Sequence, residues 1–314
     1  MAAQSQTTVA KISSKEELAV GESLTTLALR RLRRDKLTLA AITIVILLTL
    51  LSISAPLAER VLNVSYTRTN ITDAFAGLGA AGHILGTDDL GRDHLVRLMY
   101  AGQVSLGIAF TAALLSLGIG LSLGIVTGYY GGVIDDMVVW LITTLNSIPS
   151  LFLLLIVSAV ILQNPNLSGT FFSGPFALVL ILGLLGWTGT TRLVRGQTLA
   201  IREQEYIISA RAIGASPLRI MFSHILPNLF SIVVITLALD IGGLILVESA
   251  LSFLGFGVKP PTPSWGNMLT NAQTFFTKGV HLVVIPGLLI VTTVLCLYVI
   301  GDGVRDAFDP TTVD

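Results

Sequence analysis

Six stretches of this chain are apolar for long enough to cross a lipid bilayer, and that leaves little else for it to become. They run roughly over 37–58, 104–128, 137–162, 176–194, 229–254 and 281–301. About 20 apolar residues in a helix span a hydrocarbon core of about 30 Å. Lipid offers the backbone no hydrogen-bond partners, so each stretch must satisfy its own amides, and a helix does so. The fourth stretch is the least regular, because Gly-Trp-Thr-Gly-Thr-Thr-Arg at 186–192 makes its end polar. Composition closes off a soluble domain: 53% of the 314 residues are hydrophobic and only 12% are charged, whereas soluble domains carry about a quarter charged residues. The expected fold class is an all-α polytopic membrane protein with about six transmembrane helices.

Lysine and arginine placement orients these spans, because cytoplasmic flanks collect positive charge. With the N-terminus inside, thirteen of the nineteen Lys and Arg fall on the cytoplasmic side. Both termini are therefore expected in the cytoplasm, with an even number of spans. The polar start of the chain has no early apolar core of the kind an export signal needs. The expected organisation is a cytoplasmic tail over 1–35, a first span and long outer loop over 36–103, a five-helix core over 104–301 that includes a cytoplasmic loop at 195–228, and a C-terminal tail over 302–314. Two further outer segments are expected, at 163–175 and 255–280; the prolines of the latter make it a stiff loop. Asn63-Val-Ser65 and Asn70-Ile-Thr72 fit a glycosylation sequon as chance matches in an Asn- and Thr-rich loop. Net charge is zero, so no basic field points to nucleic acid, and the lone Cys296 excludes an intrachain disulfide.

Between spans four and five lies "EYIISARAIGASPLRIMFSHILPN", residues 205–228, a polar, helical, two-part segment. Gly214 suits the left-handed end of a first short helix. Ser216 and Pro217 suit the cap and first position of a second, over Leu218 to Leu226, and Pro227 resets direction into span five. Small residues, Ala210, Ala212, Gly214 and Ala215, surround the turn. Tyr206, Ile207, Ile213, Ile220, Met221 and Phe222 are more apolar than a free loop requires. Physical reasoning leaves three readings open: a docking helix for a partner protein, an amphipathic helix on the lipid surface, and a structural elbow.

The stretch "SARAIGASPLRIMFSHILPN" resembles the cytoplasmic loop signature of ABC-importer permeases, Glu-Ala-Ala, three residues, Gly, nine residues, Ile-x-Leu-Pro. Gly214 takes the glycine, Ile208, Ser209 and Ala210 fall on the Glu-Ala-Ala positions, and Leu226-Pro227 close the pattern. The acidic residue is missing; Glu205 stands one turn earlier. The resemblance implies that Glu205, Ile208, Ser209, Ala210, Arg211, Gly214, Ala215, Leu226 and Pro227 couple the chain to an ATP-hydrolysing subunit. "GTDDLGRDHLVRLMYAGQVSLGIA" (86–109), "VESALSFLGFGVKPPTPSWGNML" (247–269) and "GDGVRDAFDP" (301–310) are similar to signatures of the dipeptide, oligopeptide and nickel branch, in its second-subunit class. The implied fold is that of a type I ABC importer permease. The implied partners are a second homologous permease subunit, two ATP-binding subunits, an extracytoplasmic substrate-binding protein and the bilayer. Relatives often carry an Arg and an Asp just before the span-three proline; aligned on Pro149, Trp140 and Thr143 stand there instead.

The chain contains no G-x-x-x-x-G-K-[ST] loop to cradle a nucleotide, so it is expected to be a non-catalytic subunit that binds no cofactor, with ATP and magnesium on its partners. Asp240 and Glu248 are acidic residues within span five; such groups line a passage or bridge helices. With Trp140 and Asn146 they form the candidate translocation path. Pro261, Trp265 and Asp89 are candidate contacts for the binding protein. Asp88, Asp89, Asp93 and His94 read as a turn with self-capping aspartates, not a metal site. Gly120, Gly124 and Gly128 recur at the spacing of close helix packing. The leading function is one permease subunit of a dipeptide or oligopeptide importer. A nickel or other small-solute importer of the same branch is the alternative. A self-powered secondary transporter would need an internal repeat and intramembrane ion ligands, and an intramembrane enzyme would need paired catalytic groups; neither pattern is evident.

Overall fold

A computed structural model describes residues 24–162, 164 and 174–308. Most of the expected outer segment at 163–175, and the ends at 1–23 and 309–314, lie outside the described residues. A short helix, α1 (Leu24–Leu32), precedes α2 (Lys36–Ile53). Asp35 starts α2 by accepting the Leu37 and Thr38 amides at 3.0 and 3.2 Å. The Thr38 hydroxyl also donates to Asp35 and holds its carboxyl below the usual carboxylate range. Leu37, Ile44, Leu47 and Leu50 are exposed along α2, as a lipid-facing helix requires. α3 (Ala55–Leu62) follows, ending on Asn63 in the left-handed conformation.

The second span is far longer than the apolar window. α4 (His94–Tyr130) has 37 residues, about 56 Å at 1.5 Å each, and begins ten residues before the expected start at 104. The Asp93 carboxylate caps it by accepting the Val96 amide at 2.8 Å. The expected third span is broken into α5 (Gly132–Asn146) and α6 (Ser150–Leu162), which meet at 84°. Pro149 lies in the break; it has no amide hydrogen and disfavours helix at the residue before it. α7 (Pro175–Arg202) continues eight residues past the expected end at 194. The first part of the expected 195–228 loop is therefore helix. Then come α8 (Glu205–Ala212), α9 (Pro217–Ile220), a π turn (Met221–Ile225), α10 (Leu226–Asn228) and α11 (Phe230–Phe253). The 255–280 loop contains a short helix, α12 (Ala272–Lys278), and α13 (His281–Phe308) carries helix well into the expected C-terminal tail.

The α4–α7 contact settles how often the chain crosses. A Cβ built on Gly120 would lie 2.7 Å from Thr190 Cβ, one on Gly124 2.6 Å from Val194 Cβ, and one on Gly128 2.6 Å from Thr198 Cβ. Only glycine allows this approach, as small-residue packing in membranes requires. Both helices advance four residues at each step, so they run in the same direction. A chain that passes twice in one direction has returned in between; α5 and α6, bend included, make that return. With the five long helices this gives six crossings among the described residues. α2 runs antiparallel to α13 and α4: Thr38 packs on Gly303 and Ser52 on Gly102. The described parts of both termini thus share one end of the bundle with the 203–229 elbow, and the 63–93 and 254–280 loops share the other.

Candidate functional site

At the elbow end, α8 closes in a Schellman turn. Gly214 sits at φ +86°; its amide reaches Arg211 O and that of Ala215 reaches Ala210 O, at 3.1 and 3.0 Å. Both are orphan carbonyls that the helix end leaves behind. Ser216 then caps α9 by accepting the Arg219 amide, with Pro217 in the first turn. Pro227 contributes no amide, and the turn just before it widens: the Leu226 amide reaches back to Met221 O. The second elbow helix is therefore not the single run expected over 218–226.

The elbow has two unlike faces. Ile207, Ile220, Met221, Ile225 and Leu229 are buried with Ile125 and Val194 at the ends of α4 and α7. Ile208, Ile213, Leu218 and Phe222 point away and are 52%, 87%, 63% and 66% exposed. Glu205, Ser209, Arg211, Gly214 and Pro227 are on the exposed side as well, while Ala215 and Leu226 are half-buried. Ala210 is buried against the bundle, so its small size serves internal packing and it is not presented outward. The Tyr206 ring stands 6.4 Å from that of His224, and Asn228 donates to the Tyr206 hydroxyl and to His224 O.

Arginines tie together the helix ends beneath the elbow, and one reaches them from the elbow itself. Arg202 donates to Gly128 O and Tyr129 O at 2.9 and 3.3 Å, capping the negative end of α4. Arg211 lies over the Tyr129 ring at 5.6 Å, and Arg195 makes a two-pronged ion pair with Asp135 at the start of α5. Sequence reasoning missed Tyr129 and Asp135, because their partners lie 60 to 82 positions away and no spacing rule links them.

Within the bundle the two acidic residues part ways. Glu248 is wholly buried and accepts the hydroxyls of Ser105 and Ser252 at 2.9 and 2.7 Å. Those same hydroxyl oxygens accept the Trp265 and Val258 amides. Glu248 therefore pins α4, α11 and the following loop together and does not line an open path, correcting that expectation. Asp240 is half-buried and accepts the Thr190 hydroxyl at 3.2 Å. Trp140 and Asn146 are exposed on α5, and Asn146 accepts from Thr188 at 3.3 Å. Asn146, Ser150, Thr188, Leu244 and Val247 border a cavity of about 210 Å³ between the α5–α6 break, α7 and α11.

At the opposite end Trp265 is 1% exposed, and its indole donates to Leu98 O at 3.1 Å. It anchors the loop to α4 and is unavailable to a binding protein, which corrects that expectation too. Pro261 is exposed and Asp89 is half-exposed beside Arg92. Asp88 accepts the Leu90 and Arg92 amides and pairs with Arg92 and Arg97, while Asp93 caps α4 and meets His83. The self-capping turn is thus as expected. Lys278 sits over the Phe75 ring at 4.7 Å and joins the two long loops into one cap.

Residues 120–314 match the family described as binding-protein-dependent transport system inner membrane component. The chain belongs to this family. Residues 23–71 match the N-terminal transmembrane domain of oligopeptide transport permease C. The chain is 35% identical over 283 residues to the dipeptide transport system permease protein DppC of Alkalihalophilus pseudofirmus, covering 90% of this chain and 88% of the relative. It is 38% identical over 232 residues to DppC of Haemophilus influenzae, covering 74% and 75%. It is 35% identical over 287 residues to the oligopeptide transport system permease protein OppC of Mycobacterium tuberculosis, covering 91% and 94%. As a member of this family it is a multi-pass inner-membrane transport permease, and its place in the family requires no catalytic centre of its own.

Proposed function

We propose that this inner-membrane component is one of two permease subunits of an ATP-driven importer of dipeptides or oligopeptides. Its elbow end faces the cytoplasm, with both termini, and its loop end faces a substrate-binding protein outside. The peptide cargo is supported by relatives named for dipeptide and oligopeptide transport that align over most of their length. ATP and magnesium belong to two partner ATPase subunits.

One observation carries the reading: the elbow is fixed to the bundle on one face and presents Ile208, Ile213, Leu218 and Phe222 on the other. An exposed apolar patch on a polar segment is what a protein partner covers. ATP-driven closure of the partners draws two such elbows together. The pull passes through the buried elbow face into α4 and α7 and through the π turn into α11. Driving a two-state bundle from 1:99 to 99:1 needs about 5.5 kcal/mol of unequal binding, and a segment packed on the helix ends through its buried face and Arg211 transmits it where a loose loop would not. In co-expression with the neighbouring subunits, Ile213→Asp with Leu218→Asp is expected to leave membrane insertion intact and abolish co-purification of the ATPase. Normal assembly and peptide uptake by that double variant would refute the docking reading.

A further inference from the structure

Asp240 differs from every structural carboxylate described above. It lies ten residues into α11, about 15 Å from that helix's start and so near the middle of a core of about 30 Å. Glu248 illustrates what a purely structural acid looks like in this bundle: no exposure and two close serine hydroxyls. Asp240 keeps partial exposure, one threonine hydroxyl at 3.2 Å, and no cation facing it among the described residues. Acidic groups at such depth are retained where they face a water-filled path or a counter-charge.

A cavity opens on the same side of α11, beginning one turn beyond Asp240. Residues 240, 243, 244 and 247 share one helix face. Leu244 and Val247 border the cavity at the α5–α6 break, and a Cβ on Gly243 would meet nothing within 4 Å. Asp240 continues that open face one turn toward the elbow, where Thr190 of α7 meets it. Asn146 and Thr188 on the far wall add only neutral hydrogen-bonding groups.

We propose that Asp240 faces the transport passage and binds the cationic amino group of the cargo at mid-membrane. The inference rests on the peptide-importer reading for the identity of the cation, and on the geometry alone for the exposure of Asp240. The test uses the complete transporter in proteoliposomes. In a Cys296→Ala background, Asp240→Cys is treated with a water-soluble cationic thiol reagent and with a membrane-permeant neutral one. The cationic reagent is expected to label Cys at position 240, and saturating peptide with its binding protein to slow that labelling. Asp240→Asn is expected to lower import of a free-amine peptide about tenfold, with Asp240→Glu recovering most of it, since a charge-assisted contact is lost and regained. Labelling by the neutral reagent alone, or import by Asp240→Asn at the parental rate, would overturn the proposal. Failure of the parental complex to import any peptide would strike the importer reading instead, and labelling in the absence of cargo still decides whether the position is wet.

Discussion

The two ends of this bundle carry sequence motifs of similar strength, yet they use their apolar residues in opposite ways. At the loop end, 247–269 folds inward: Trp265 is buried, Glu248 and two serines tie its backbone to α4 and α11, and Asn267 donates to Val258 O and Thr262 O. At the elbow end, 205–228 is divided down its length, with one set of isoleucines buried and another set exposed. A motif of apolar and small residues can therefore mean a closed internal joint or an open contact face. What separates the two is whether the apolar side chains find their partners within the chain, as Trp265 does and Ile213 and Leu218 do not.

Substitutions at the two ends should break or sharpen that contrast. The largest effect is expected from Trp265→Ala, which empties a buried site and removes the indole bond to Leu98 O; about 3–5 kcal/mol of stability should be lost, seen as a fall in the unfolding temperature of the purified protein. Tolerance of that change would mean the loop end is as peripheral as the elbow's outer face. Gly214→Ala forces a side chain into left-handed backbone and should cost about 1–2 kcal/mol; the open space around Gly214 rules out a clash as the cause. The smallest stability effect belongs to Leu218→Asp, within about 0.5 kcal/mol because the position is on the surface. Its cost should appear only when the ATPase partner is present, as loss of binding. A fall in stability of the isolated chain comparable to that of Trp265→Ala would show that Leu218 is part of the internal joint.

Much of this was legible in the sequence for identifiable reasons. Apolar run length gives the spans, and the Gly214–Ser216–Pro217 turn could be read because its residues act on their immediate neighbours. The Gly120, Gly124 and Gly128 ladder could be read as a packing face, although not which helix it meets. Helices run past their expected ends where polar residues continue them beyond the lipid: His94 to Gln103 and Arg195 to Arg202 are helical without being apolar enough to count as span. The break in the third span is not legible from hydropathy, because the residues on both sides of Pro149 are equally apolar and hydropathy is blind to direction.

By itself the sequence determined that this chain is a membrane bundle, where it turns, and which segments are built to be special, because solvent preference and local backbone chemistry are properties of neighbouring residues. Only the tertiary structure decided that Trp265 and Ala210 are hidden while Ile213 and Leu218 are not, that Glu248 is fully buried while Asp240 is half-buried, and that Arg195 finds Asp135. Those outcomes depend on which helix faces arrive at the same place after the chain has crossed the bilayer several times, and pattern along the chain does not encode that meeting.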